Sequence, residues 1–464
     1  MLRAVGKNLA GRMQRWIPEP FVFAIILTLL VALLAVALTD ARVNSVIDDW
    51  YRGFWILLEF GMQMVLMLTT GYAIALSPLA TRLIDRLAML ARTPGTVYVF
   101  VMVFGGLFCL VSWGWVVLTA VLARELAKRV AGIDYAYLVA CVYLSSQPWV
   151  SGLSSSIPLL LNTEGNFLIE TGVLNGTVPI ATTLGSMLNW LYLSMYFVTI
   201  PALVWLMRPR KDECRSMAEM SDGNVQMQGT VAEEAATHAT GDNSISERLN
   251  NGVVLQLIIA SAAIWYLLRR FANNGFDLDL NVMIFLFIAI GLLTHSTPMR
   301  YVVAMKRACG NVSGIVFQYP FYAGIMGIMT FTGLGSLIAD WMASNATVTT
   351  LPVIAQLSGA LINIAVPSAG GEWAVIGPTL TETALGMASD LPPGQVELFV
   401  ARIAMAVAYG ETSTNLLQPF YLLVVLPVMG AGVNIRARDV MGYLVIPFFV
   451  LLLMTAILVT FTPL

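Results

Sequence analysis

Apolar positions along this chain come in long blocks, without the short periods of a half-buried strand or an amphipathic surface helix. Runs at 21–38, 54–76, 185–207, 251–271, 281–297, 313–335 and 440–462 are each long enough to cross a hydrocarbon core of roughly 30 Å. Two more, 133–160 and 397–428, are long but interrupted by polar clusters. Two others, 96–123 and 350–387, are apolar at both ends and carry turn-forming residues inside. This pattern predicts an all-α polytopic membrane protein.

Composition agrees. The 464 residues are 58% hydrophobic and 11% charged, against about 25% charged in a soluble domain. A soluble cytosolic enzyme and a disordered chain are excluded. The net charge of −2 leaves no basic footprint for a nucleic acid, so none is expected as partner. Cys109, Cys141, Cys214 and Cys309 lie far apart, which suggests neither a disulfide framework nor a zinc site. The N-terminus, MLRAVGKNLAGRMQRWIPEP, is basic and amphipathic, and the apolar run after it has no small-residue cleavage site. A retained first span is therefore expected, with the bilayer itself as partner.

Basic residues set the orientation. Those at 3–15, 82–92, 124–129, 208–248, 300–307 and 436–438 make twenty of the 25, and all can lie on the cytoplasmic side together with the N-terminus. The segment 96–123 permits this. It is uncharged inside, yet flanked by Arg92 and Arg124, so a hairpin that enters and leaves by one face is expected, turning at Ser112-Trp113-Gly114-Trp115. The span 350–387 is its expected counterpart, turning at Pro367-Ser368-Ala369-Gly370-Gly371-Glu372. A broken helix follows each hairpin, the first interrupted at Ser145–Gly152 and the second at Gly410–Asn415. Hairpin then broken helix, twice and in opposite orientation, is the order of an inverted repeat.

The resulting division is 1–95 as scaffold helices, 96–184 as first hairpin and broken helix, and 185–207 as a scaffold span. A polar cytoplasmic linker at 208–250 follows, read as a partly disordered tether. Then come scaffold helices at 251–349, the second hairpin and broken helix at 350–430, and a C-terminal span at 431–464.

Backbone freed from a helix inside hydrocarbon costs several kcal/mol unless something uses it. Half-helix starts offer N–H groups and positive dipole ends to a carboxylate. The residues placed to touch such a cargo are Ser112, Trp113, Gly114, Ser145, Ser146, Gln147, Trp149, Ser368, Gly370, Gly371, Glu372, Trp373, Glu411 and Thr412. Half-helix ends offer carbonyls, and the oxygens of Ser154, Ser155, Asn363, Ser413, Thr414 and Asn415 beside them suit a small cation such as sodium. The bland alternative is a set of kinks satisfied by neighbouring helices.

Ionisable residues inside spans are functional candidates by default. Glu372 and Glu411 are the clearest, and both are the candidates if coupling is to protons: Glu411 reads as a proton carrier, cation ligand or partner for a substrate ammonium, and Glu372, at its hairpin tip, is expected to be wet in one conformation. Arg402, nine residues before Glu411, falls on roughly the opposite helix face, so pairing between them is not expected; it is expected to snorkel outward. His295, near the end of a span, reads as interfacial, and 82–93 as an amphipathic surface helix.

The stretches SWGWVVLTAVLARELAKR, YLSSQPWVSGLSSSIPLLLNTEGN, NIAVPSAGGEWAVIGP, AYGETSTNLLQPFY and ARDVMGY, in this order over most of the chain, resemble the bacterial short-chain fatty acid transporter family. The resemblance implies an ion-coupled secondary transporter of small monocarboxylates in the inner membrane. It also implies a homodimeric elevator in which the hairpins and broken helices move against a fixed scaffold. Compared with the family pattern, Ser112 stands where Asn usually precedes Trp-Gly, Gln147–Ser151 replaces a Trp, His or Gly-Gly element, Glu372 replaces Gln, and Glu411-Thr412-Ser413 replaces Asp-Gln-Trp. The added carboxylate points to a hydroxylated or zwitterionic acid as alternative cargo. Sodium is favoured over protons, because hydroxyl and amide oxygens outnumber carboxylates at the breaks. Two other classes remain. An intramembrane hydrolase would use Gly152-Leu153-Ser154-Ser155, but no base accompanies it. A channel would conduct without saturation.

Overall fold

The computed structural model describes residues 20–56, 58–164, 166–170, 172–210, 214–221, 229–238, 244–275, 280–344, 346–366, 369–388, 392–418 and 422–464. The basic stretch 1–19 and Ser368 lie outside the described residues. Among these residues all regular structure is helical apart from one isolated antiparallel bridge, Ser221–Val433.

The chain opens with α1 (Pro20–Leu38), α2 (Val43–Ile56), α3 (Leu58–Ala75) and α4 (Pro78–Ala88). α3 and α4 meet at a 57° bend. Ser77 accepts from Ala80 N and Pro78 opens α4, so the chain restarts a helix there instead of continuing one. The expected surface helix at 82–93 is thus the later part of α4, which ends at Ala88, and the five residues that follow it, with Leu79, Leu83, Met89 and Leu90 exposed.

The first expected hairpin forms. α5 (Pro94–Val111) ends at Ser112, whose backbone is extended; a 3₁₀ turn at Trp113–Trp115 follows, and α6 (Val116–Arg129) returns. The two arms are so close that a Cβ on Gly105 would stand 2.5 Å from Thr119 Cγ2 and 2.3 Å from Ser145 Oγ. Next come α7 (Tyr135–Ser145), the 3₁₀ turn Gln147–Ser151, α8 (Ser156–Leu161) and the single turn α9 (Phe167–Glu170). The first break therefore stands where Pro148 and Gly152 put it. α10 (Met187–Met207) closes the first half.

The polar segment 208–250 carries structure of its own. Residues 214–221 lie against both halves: Tyr135 N donates to Arg215 O, and Asn434 N to Met220 O. α11 (Val231–Thr237) buries Val231 and Ala235 with Ala73, Val303 and Ala304, and a second short helix, α12 (Ile245–Asn251), follows.

The second half begins with α13 (Val253–Asn274), α14 (Leu280–His295), α15 (Pro298–Asn311), α16 (Ser313–Phe331) and α17 (Leu334–Ala343). His295 is fully buried, with Nε2 2.7 Å from Ala73 O. α18 (Leu351–Ala365) and α19 (Ala369–Met387) form the second hairpin, followed by α20 (Pro393–Asn415), α21 (Leu422–Met429), α22 (Ala437–Met441) and α23 (Val445–Phe461).

Two expectations are corrected here. Helix α19 starts at Ala369, so Gly370, Gly371, Glu372 and Trp373 belong to its first turns and not to an open tip. The second break also moves. Gly410–Asn415 is continuous with α20, and the helix stops only after Asn415.

Among the described residues α5, α10 and residues 253–273 of α13 are long and apolar enough to cross a bilayer, and the bent pair α3–α4 makes a fourth. α1, α14, α18 and α23 include shorter apolar stretches. The outer helices turn large apolar side chains outward, as Leu33 on α1 and Trp265 on α13 do. Polar residues run the other way: Ser145–Gln147, Asn363, Glu372 and Glu411–Asn415 are buried. A soluble protein has the reverse arrangement.

Candidate functional site

The interior polar residues fall into three groups, each joining parts of the chain far apart in sequence. The first binds the hairpin tip to the break behind it. Trp113 N donates to Ser154 Oγ (2.9 Å), Ser112 Oγ accepts from Gly114 N (3.2 Å), and the rings of Trp113 and Trp149 lie 6.2 Å apart. Leu153 N donates to Leu110 O (2.7 Å). The freed backbone of both irregular segments is thus partly satisfied by each other.

The second group joins the two halves. Thr412 Oγ1 lies 2.8 Å from Gln147 O and 3.0 Å from Gln147 Oε1. Tyr143 OH donates to Asn415 O (2.5 Å), at the C-terminal end of α20. Ser145 and Ser146 donate to Val142 O and Tyr143 O, both at 2.7 Å, and Gln147 Nε2 reaches Tyr143 O and Ser146 Oγ at 3.2 Å. The broken helix of the first half and the polar end of α20 therefore form one continuous polar seam.

The third group is built on α18 and α20, which run side by side in the same direction. Gly359 and Gly410 make this approach possible. A Cβ on Gly410 would fall 1.9 Å from Gln356 O, and one on Gly359 would fall 2.7 Å from both Val407 O and Glu372 Oε1. One turn further along, Asn363 Nδ2 meets Glu411 O (3.0 Å), Thr414 Oγ1 (2.9 Å) and Asn415 Oδ1 (2.7 Å). Asn415 Nδ2 donates to Glu411 Oε1 (3.3 Å), and Gln418 Nε2 donates to Asn363 O.

This group has more acceptors than donors. Asn363 Oδ1, Gln418 Oε1 and both carboxyl oxygens of Glu372 are buried without a hydrogen-bond partner among the described residues. Buried acceptors of this kind are costly until a proton, a cation or a donor-bearing ligand meets them. The carbonyl ends of α18 and α20 add partial negative charge at the same level. Oxygen donors of this sort suit a small hard cation. Among the described residues no group of three or more His, Cys, Asp or Glu could hold a metal ion. At the other polarity, α19 begins with Ala369, Gly370 and Gly371, an N-terminus without bulky side chains.

The expected residues are not all brought together. Ser155 Oγ is bonded to Val150 O (2.5 Å) and Ser413 Oγ to Tyr409 O (2.7 Å), and no hydrogen bond between described residues links Ser154 or Ser155 to the Asn363 group. Arg402 stays clear of Glu411 and donates to Pro463 O (2.6 Å). Glu372, expected to be wet in one conformation, is 0% exposed in this one. Beside Tyr143 and Gln418, further contributors escaped the sequence reading. Asn189 of α10 bridges Ser151 O (3.3 Å) and Leu184 O (2.8 Å) and receives Tyr409 OH (3.1 Å). Tyr192 stacks on Tyr409 at 4.5 Å. Gln356 ties α18 to Leu452 O (2.9 Å) and Thr455 Oγ1 (2.6 Å) of α23. A lone Asn or Gln inside an apolar span was the available signal.

Residues 1–462 match the family described as short chain fatty acid transporter. The chain belongs to the short-chain fatty acid transporter family. Two relatives, both named "Putative short-chain fatty acid transporter", are similar over almost the whole length. The Escherichia coli (strain K12) protein is 37% identical over 447 residues, and the Haemophilus influenzae (strain ATCC 51907 / DSM 11121 / KW20 / Rd) protein is 33% identical over 448, each with 96% of both chains covered. Among solved structures, the YdaH transporter of Alcanivorax borkumensis superposes with a TM-score of 0.53 at 18% identity, covering 96% of this chain and 98% of that one; this likeness concerns the fold alone. Membership in a family of transporters sets the hydrolase aside: this is a multi-pass membrane transporter and not an enzyme.

Proposed function

We propose that the chain is a secondary active transporter, taking a small monocarboxylate such as a short-chain fatty, keto or hydroxy acid into the cell with a coupling ion. The observation that carries this reading is the buried acceptor-rich group at the ends of α18 and α20, joined to the first break through Thr412 and Gln147. Two hairpins and two interrupted helices whose polar parts meet in the interior supply what a cargo and an ion need in one place. The small-residue start of α19 suits the cargo carboxylate. Sodium is the favoured ion, with Asn363, Thr414 and Asn415 as its neutral oxygen donors and Ser154, Ser155 and Ser413 as further candidates. In this reading 96–184 and 350–430 carry cargo as an inverted-repeat elevator against the remaining helices. The assembly is a homodimer in the bacterial inner membrane with a cytoplasmic N-terminus.

A zwitterionic or other small organic anion is the second reading, favoured by the buried carboxyl of Glu372, which would receive an ammonium or hydroxyl of the cargo. Proteoliposome uptake of labelled butyrate, acetoacetate, 3-hydroxybutyrate and a small amino acid, with and without an inward sodium gradient, tests both. Saturable, sodium-driven uptake of the monocarboxylates supports the first. Uptake of the amino acid alone replaces it with the second, and unsaturable conduction would sink both.

A further inference from the structure

We propose that Glu372 is a proton-loading site of the transport cycle, separate from the neutral oxygens around Asn363; the proposal rests on the transport reading above.

Glu372 stands in the first turn of α19 and is 0% exposed, and among the described residues none is bonded to either carboxyl oxygen. Its carboxyl is pressed between α18 and α20: the room a Cβ on Gly359 would need is shared by Glu372 Oε1 and Val407 O, each at 2.7 Å. Such packing leaves no place for a hydration shell. An ionised carboxylate in that slot would be stripped of water and given no cation in exchange. The positive end of α19 favours the anion, but this is the weaker effect beside full desolvation.

The surrounding charges give no relief. Glu411, one turn beyond Val407 on α20, is a second buried acid and offers Glu372 no positive charge. Among the described residues, the other titratable groups on α20 are Glu397, Arg402 and Tyr409. Arg402 is bonded to Pro463 O and Tyr409 to Asn189. Asp340 on α17 and Glu382 on α19 itself are exposed. α8 and α18 contribute no ionisable side chain. No described Lys, Arg or His forms an ion pair with Glu372. The carboxyl therefore carries its proton in this conformation, and it ionises only when the bundle opens enough to admit water or a cation.

The test uses the full chain in proteoliposomes with ¹³C-labelled glutamate. Infrared difference spectra across a pH titration should show the C=O stretch of a neutral carboxylic acid at neutral pH, lost in Glu372→Gln. Counterflow of labelled butyrate, corrected for passive flux through protein-free liposomes, should depend on pH in the wild type and lose that dependence in Glu372→Gln. An inward pH gradient at equal sodium should raise wild-type accumulation by up to about tenfold per pH unit for one proton and leave the Gln variant unmoved. If the Gln variant misfolds, Glu372→Asp, which carries no label at this position, decides by whether the shifted band is lost. An ionised Glu372 at neutral pH, or a Gln variant that keeps its pH response, overturns the proposal. Absence of wild-type counterflow instead overturns the transport reading, while the infrared band still reports the proton.

Discussion

Thr412 and Gln147, 265 positions apart, share two short contacts, at 2.8 Å to the backbone carbonyl and 3.0 Å to the side-chain oxygen of Gln147. A single hydroxyl thus links the polar end of α20 to the interruption after α7. Removing it strands a buried carbonyl at a cost of about 1–3 kcal/mol. Thr412→Val should lower the thermal stability of the detergent-purified protein and slow uptake, while Thr412→Ser keeps both near wild type. Equal behaviour of Val and Ser variants would show that the bond carries nothing.

The glycine contact between α18 and α20 makes a sharper prediction. A methyl at Gly410 would overlap Gln356 O, whereas one at Gly386 of α19 would meet nothing within 4 Å. Gly410→Ala should therefore cost about 1–3 kcal/mol or more through overpacking. Gly386→Ala should be neutral or gain about 0.5–1 kcal/mol from helix propensity. Parallel melting curves check the contrast.

Ser154 is a fastener of the first hairpin tip through Trp113 N. Ser154→Ala should destabilise by about 1–3 kcal/mol and lower the maximal uptake rate without changing the sodium concentration for half-maximal uptake. A large shift in that concentration would make Ser154 an ion ligand.

The polar segment between the halves is clipped down by Arg307, whose Nε lies 2.7 Å from Glu234 Oε2 on α11. The pair is partly exposed, so its worth is modest, about 0–1 kcal/mol, and falls with salt. Glu234→Ala should leave global melting almost unchanged and speed limited proteolysis near 231–237. Unchanged cleavage would mean that Val231 and Ala235 hold the helix alone.

Much of the fold was legible in the blocks of apolar sequence, and the first hairpin and first break also in Arg92, Arg124, Pro148 and Gly152. The second break was misplaced for a local reason. Gly410-Glu411-Thr412-Ser413-Thr414-Asn415 looks like a helix breaker by composition, yet Ser413 and Thr414 bond back to Tyr409 O and Gly410 O, which holds the helix through them. Pro419, lacking an N–H, follows just beyond. Glu372 was expected within the open turn Pro367–Glu372. Tertiary packing against Gly359 turned the same residues into a buried helix start, which no local pattern encodes.

The isolation of Glu372 also has an electrical side. A unit charge carried through the full membrane field is worth about 2.3 kcal/mol per 100 mV. With Glu372 neutral, displacing the bundle that holds it involves no such work on that residue. Ionised, the same residue would make that displacement sensitive to voltage. One proton on one buried side chain would thus add or remove one unit of charge from what such a displacement carries.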